Sequence, residues 1–274
     1  MMTQTIQRQY DEVIAFHYDL DHQSVTGSTL DRAARQICTE QLLDGDDEPL
    51  RVLDVGMGTG MFLAKLIALG GDAIQPFGID LSAKMVENAY QKIPNLVAAI
   101  DDAVNLDAHF LDQPFDLICT HFLSGFVPLS ILAPKICSRL QEGGYWSYIG
   151  ATKVSFPTLQ AKANSRLIRW LSGGRSLRVD DLSFSPANRQ EIFQTLEQNG
   201  FVVRQCETYQ PALKFRNMDE FMDFAYRGGW LTPFIEALGL HKSGWLTQWM
   251  LNRFFFPVED HHSIEIHLAQ KVTR

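Results

Sequence analysis

The chain predicts an α/β fold built on a doubly wound, mostly parallel sheet. Three observations carry that reading. Short apolar runs alternate with amphipathic stretches from residue 50 to about 149, and again from about 185 to the end. The run Val52–Val55 turns through Gly56, Gly58 and Gly60 into a helical pattern. The next apolar run ends on Asp80, twenty residues past the last glycine (80 − 60 = 20).

The elements follow in order. Residues 5–18 read as a short helix with Ile6, Tyr10, Val13, Ile14 and His17 on one side. Residues 29–43 read as a second helix, capped by Ser28 or Thr29, with Asp31 in its first turn. A polar turn at 44–49 leads to a strand at Leu50–Val55 and a helix at Gly60–Leu69 that stops at Gly70-Gly71. Ile74–Asp80 is a strand, and Ser82–Ile93 a helix with Ser82 as cap. Strands at Leu96–Ile100, Phe115–Thr120 and Tyr145–Ile149 follow, with a helix at Ile131–Leu140 before the last of them. Ser185-Pro186 and Gly200 bracket a late helix, with serine as cap and proline in the first turn. Phe201–Glu207 and Ser263–Lys271 read as strands, the final one half-exposed because apolar and polar residues alternate. Two stretches, about 152–184 and 209–260, break the alternation. The second is rich in aromatics, including Phe221, Phe224, Trp230, Trp245 and Trp249.

Composition narrows the function. The chain has 274 residues, 46% hydrophobic and 20% charged, which is enough for a sizeable core. It carries 24 basic and 32 acidic side chains and a formal net charge of −8. No long basic run exists to neutralise phosphates, so nucleic acid is not the expected partner. Cys38, Cys119, Cys137 and Cys206 are scattered without a CxxC pair, as expected of free thiols in the cytoplasm. No apolar run is long enough to predict a membrane span.

Glycines at a strand–helix turn let the main chain approach a ligand closely, because no Cβ intervenes. A carboxylate at the end of the next strand can accept from both hydroxyls of a ribose. A dinucleotide fingerprint wants a third small residue at position 61, and Met61 stands there. A Walker A loop needs Gly-Lys-Ser/Thr, which Gly60-Met61-Phe62 does not supply.

With Asp54 opening it, Val52–Phe62 resembles the glycine loop of the class I S-adenosylmethionine-dependent methyltransferases. The likeness extends to Asp80 in Gly78-Ile79-Asp80-Leu81-Ser82, to Asp102-Ala103, to Phe115-Asp116-Leu117-Ile118, and to Gly143-Gly144-Tyr145. Tyr10-Asp11 and Tyr18-Asp19 are similar to the opening of the small-molecule branch, which folds over the cofactor. The resemblance implies a Rossmann-like, doubly wound, seven-stranded sheet with an antiparallel last strand and an aromatic-rich helical cap. It implies one methyltransferase domain over residues 1–274, with the two stretches above as cap insertions. It implies S-adenosyl-L-methionine as cofactor, admitted by Gly56, Gly58 and Gly60 and held at its ribose by Asp80. Asp102 or the adjacent Asp101, with Ala103, meets the adenine, and Asp54, Leu81, Thr120 and Tyr18 complete the expected contact set. Each acid has a plainer reading as well: Asp54 can brace the glycine turn, Asp80 can cap the following helix, and Asp102 can be a turn residue.

Motifs for amino, cytosine-5 and protein-arginine acceptors are absent after the fourth strand, where the chain reads Thr120-His121-Phe122-Leu123. The expected acceptor is a small, hydrophobic or aromatic metabolite, methylated on oxygen, nitrogen or carbon. His121 is the leading candidate for a general base, because it follows the fourth strand and its ordinary pKa lies near neutrality. His17 is a weaker candidate. His261 and His262 are expected to be solvated, and no metal site is expected from them and His267. Trp230, after Gly228-Gly229, marks a hinge or a close approach. A nicotinamide-dependent oxidoreductase and a non-catalytic cofactor-binding module are the competing readings.

Overall fold

A computed structural model describes residues 2–43, 48–112, 114–163, 165–166 and 183–272. Residue 164 and residues 167–182 of the first expected insertion, and 44–47 of the polar turn, lie outside the described residues. Seven strands form one sheet. They are β1 (Leu50–Val55), β2 (Ile74–Asp80), β3 (Val97–Ile100), β4 (Phe115–His121), β5 (Leu140–Ala151), β6 (Phe201–Tyr209) and β9 (Ile264–Lys271), in the order β3-β2-β1-β4-β5-β9-β6. The pairs β1–β2, β1–β4, β2–β3 and β4–β5 are parallel, whereas β9 runs antiparallel to both β5 and β6. Two further strands, β7 (Ala212–Phe215) and β8 (Val258–His261), form a separate antiparallel pair.

Successive strand residues face opposite sides, so each central strand feeds two cores. Val52, Leu117, Ile149 and Ile266 pack with Ala33, Ile37, Phe62 and Val86 on one side. Leu53, Ile118, Trp146 and Ala269 pack with Leu132, Ile136, Ile192 and Leu196 on the other. Phe215, Phe221, Phe224, Leu251 and Phe256 of the aromatic-rich segment join the first of these cores. Those rings are the roof of the sheet's own apolar layer.

Four expectations change. The helix predicted at 29–43 runs over Val25–Thr39 (α2), because Asp21 accepts the N–H groups of Thr26 at 2.9 Å and Gly27 at 2.7 Å and starts it early. Ser28 and Thr29 lie inside it and donate back to carbonyls of the preceding turn. The late helix starts at Arg189, not Pro186, with Asn188 accepting from the Glu191 N–H at 3.1 Å. The opening helix (α1) spans Met2–Glu12 and breaks into three short 3₁₀ turns before Val25.

The fourth change concerns β9, which is interior and not half-exposed. It lies between β5 and β6, so both its edges are paired, and six of its eight residues, from Ile264 to Ala269, are buried. Glu265 is paired instead of wet: buried, it accepts from Arg189 Nε at 2.7 Å and from Thr208 Oγ1 at 2.7 Å.

Candidate active site

The site forms at the carboxyl ends of β1, β2 and β4, where a doubly wound sheet opens a crevice. Gly56 and Gly58 both have positive φ, at 75° and 56°, and both line a narrow cleft of about 130 Å³. Asp80, Leu81, Asp101, Asp102, Ala103 and Tyr18 line it too. A Cβ on Gly58 would stand 3.9 Å from the Tyr18 ring, so the bare loop faces the tyrosine across the cleft.

Asp80 is held from both sides. Its Oδ2 accepts from the Gly58 N–H at 2.8 Å and its Oδ1 from the Ser82 N–H at 2.9 Å. Burial pushes its pKa up to about 6, while those two main-chain bonds pull it down. Helix-capping falls to Ser82, whose Oγ accepts from the Met85 N–H at 3.1 Å. Asp80 is therefore a positioned acceptor at the strand end, and not the cap.

The two acids beyond β3 have different environments. Asp101 accepts from the Asp102 N–H, from Asn105 Nδ2 at 2.8 Å, and meets His109 Nε2 at 2.8 Å. Those bonds hold its pKa below the usual carboxylate range. Asp102 gives one oxygen, Oδ1, to the Val104 N–H at 3.1 Å. Asp101 is a brace, and Asp102 is less committed.

Three expected contacts lie outside the cleft lining. Gly60 turns α3 (Met61–Gly70) away under α4 (Ala83–Lys92): a Cβ there would meet Ile93 Cδ1 at 2.6 Å and Ala89 Cβ at 3.1 Å. Its bareness serves helix packing. Thr120 is buried behind the cleft and accepts from Trp146 Nε1 at 2.9 Å. Asp54 is buried beneath the loop, with Oδ1 unpartnered and its pKa raised to about 8 by burial and then by Asp80. It underlies the turn and does not face the cleft.

His121 does line the cleft. Its Nε2 shares a 3.0 Å hydrogen bond with Ser147 Oγ, and its ring packs edge-on against Phe62 at 4.2 Å. Burial brings its pKa down to about 3, so it stays neutral and is a weak proton acceptor. The geometry makes it a wall of the cleft.

The segment before α2 covers the cleft and is pinned at four points. Asp11 Oδ1 accepts from Ser82 Oγ at 2.6 Å and from the Lys84 N–H at 3.2 Å. Asp19 accepts from Thr59 Oγ1 at 2.5 Å and pairs with Lys92. Sequence reading found the tyrosines of this segment and missed the work of its acids. The signal was present, since each acid directly follows its tyrosine.

A second cavity, of about 600 Å³, adjoins the first. Tyr10, Tyr18, Phe122 and Phe126 line both. The rest of its lining includes Phe156, Leu159, Phe221, Trp230, Phe234 and Phe256. Trp230 lies edge-on to Phe122 at 4.8 Å and flat on Phe224 at 5.6 Å. The close approach expected at its glycines is there: a Cβ on Gly228 would meet the Phe224 carbonyl at 2.6 Å, and Gly229 has φ +83°. His262, expected in solvent, is 1% exposed and lines this chamber. Phe156, stacked on it at 4.4 Å, and Trp230 at 5.0 Å shut out the water.

Residues 52–144 match the family model described as a methyltransferase domain. The chain therefore carries a segment similar to a methyltransferase domain over about a third of its length. Its matched domain holds the glycine loop, Asp80, Asp101 and Asp102 together. Solved structures share the chain's fold at low identity. The YcgJ protein of Bacillus subtilis is 17% identical with a TM-score of 0.55, covering 86% of this chain and 98% of that one. The BH2331 protein of Bacillus halodurans is 15% identical with a TM-score of 0.58, covering 90% and 100%. Magnesium protoporphyrin IX methyltransferase from Synechocystis, solved with bound SAH, is 16% identical with a TM-score of 0.51, covering 93% and 85%. At these identities the likeness shows the architecture alone. No curated protein matches the chain.

The cleft has the features that the resemblance to S-adenosylmethionine-dependent enzymes led us to expect. A carboxylate already aligned by two main-chain N–H groups stands beside a turn that presents Gly56 and Gly58 to the cleft. Tyr10 and Tyr18 of the covering segment line the cleft.

Proposed function

We propose that the protein transfers a methyl group from S-adenosylmethionine to an oxygen, nitrogen or carbon of a small, mainly apolar metabolite. The observation that carries this reading is the 600 Å³ aromatic chamber sharing Tyr10, Tyr18, Phe122 and Phe126 with the cofactor cleft. Two compartments with a common wall are what a direct transfer between two bound molecules requires.

Bound there, the cofactor supplies an electrophilic methyl group on a sulfonium. The chain's own residues do the rest. Asp80 accepts from the ribose hydroxyls, and the uncommitted oxygen of Asp102 faces the adenine side. Gly56 and Gly58 admit the cofactor along the loop, and His121 and Phe122 close the side toward the acceptor. Phe126 and Trp230 exclude water, which keeps the methyl group from hydrolysis and strengthens every polar contact inside.

Incubating the protein with labelled cofactor and a metabolite extract, then resolving products by mass spectrometry, tests the reading. Label is expected in apolar small molecules. Label confined to added RNA or protein would refute the acceptor class. Calorimetry with S-adenosylhomocysteine and NADH separates this function from dinucleotide chemistry, and tight binding is expected for the first alone.

A further inference from the structure

One corner of the acceptor chamber is polar, and its polarity is organised. Ser155 sits at the centre. Its hydroxyl donates to the Ser263 carbonyl at 3.0 Å, and its oxygen accepts from the Ser263 N–H at 3.0 Å. His262 Nδ1 is also 3.0 Å from that oxygen. The one hydroxyl proton is committed to Ser263, so Nδ1 must be the donor in that contact. Nε2 therefore carries the lone pair, and it is buried without a partner among the described residues. Burial brings the ring's pKa down to about 3, so the imidazole is neutral.

Thr152 stands in the same corner, its N–H donating to the same Ser263 carbonyl at 3.1 Å. It is 3% exposed and lines the chamber, and its Oγ1 has no partner among the described residues either. Nearby polar groups are already engaged. Gln160 Nε2 donates to the Lys153 and Ser155 carbonyls, and Ser183 and Ser185 bond each other at 2.8 Å. A buried acceptor and a buried hydroxyl left open together cost free energy that a ligand recovers by meeting both.

We propose that Thr152 and His262 are the recognition corner of the acceptor chamber, and that the methyl acceptor is an otherwise apolar molecule presenting one uncharged hydroxyl to it. The hydroxyl donates to His262 Nε2 and accepts from Thr152 Oγ1. Its charge follows from the lining. Among the described residues no Asp or Glu lines the chamber, so an ammonium would be buried there without a counterion. The corner itself, a neutral imidazole and a hydroxyl, gives a carboxylate or phosphate no compensating charge; the cation on the described lining, Lys153, is not one of its two open groups. The inference rests on the acceptor role proposed above and names its substrate class.

The test is calorimetric titration of the full chain, preloaded with S-adenosylhomocysteine, with 2-naphthol and with naphthalene. A hydroxyl buried without a partner makes a ligand bind worse than its parent hydrocarbon. The wild type is expected to prefer 2-naphthol by about tenfold or more. Thr152→Val, which keeps shape, and His262→Phe, which keeps the stack on Phe156, are expected to reverse the preference while leaving S-adenosylhomocysteine affinity unchanged. A wild-type preference for naphthalene, a preference that survives both substitutions, or no binding of either probe overturns the proposal. Loss of S-adenosylhomocysteine binding alone would overturn the methyltransferase reading and leave the hydroxyl preference standing, so the two failures are distinguishable.

Discussion

Asp80 shows how much one side chain can be asked to do. It is close enough to the glycine loop to brace it and accessible enough to receive a ligand, and its pKa of about 6 follows from that compromise. Replacing it with asparagine keeps the shape and removes the charge-assisted bonds, and S-adenosylhomocysteine affinity should fall by about 1–3 kcal/mol. The same carboxylate predicts a pH effect. Its charged form is the better acceptor, so affinity should be full above pH 7 and decline as pH drops through about 6. Calorimetry across that range checks both, and an affinity flat from pH 5 to 8 would show that Asp80 does not hold the cofactor. That Gly56, Gly58 and Asp80 meet at one cleft was legible in the sequence because their spacing is local: one strand, one turn and the next strand fix it. His262 was not legible. Its burial comes from Phe156 and Trp230, which reach it from segments far away in the chain.

Among the elements, the strands that alternate with helices were read closely, since apolar runs bounded by glycine and polar turns leave few choices. β9 was read with its surroundings wrong. Alternating apolar and polar residues describe an edge strand as well as an inner strand whose polar groups are paired, and only the topology decides. The start of α2 was missed because its first N–H groups are satisfied by Asp21, which lies outside the helix in a left-handed conformation at φ 41°. Gly60 belongs at this scale, because it joins β1 to α3 while α4 passes within contact distance. Gly60→Ala forces an L residue to φ +76° and pushes a methyl into Ile93, and should cost about 1–3 kcal/mol of stability. Thermal unfolding with and without S-adenosylhomocysteine checks it. Lost stability with ligand affinity retained is expected, and an unchanged Tm would mean that α4 yields freely.

Across the whole molecule, the segment before α2 links parts that are distant in the chain. Asp19 ties it to Thr59 and Lys92, Asp11 to Ser82, and Gln9 Nε2 donates to Glu236 Oε1 in the cap at 2.9 Å. Asp19→Asn should loosen that cover without touching the cleft lining. Stopped-flow release of S-adenosylhomocysteine should quicken by about tenfold, the equivalent of one charged hydrogen bond, and an unaltered rate would mean that the cover does not gate release. The two tyrosines on this segment stand at the doorway of both compartments. On the proposed function a spent donor and a fresh one pass the same latch, and turnover in Asp19→Asn would rise with release only where its unfastening, and not the methyl jump, sets the tempo of the cycle.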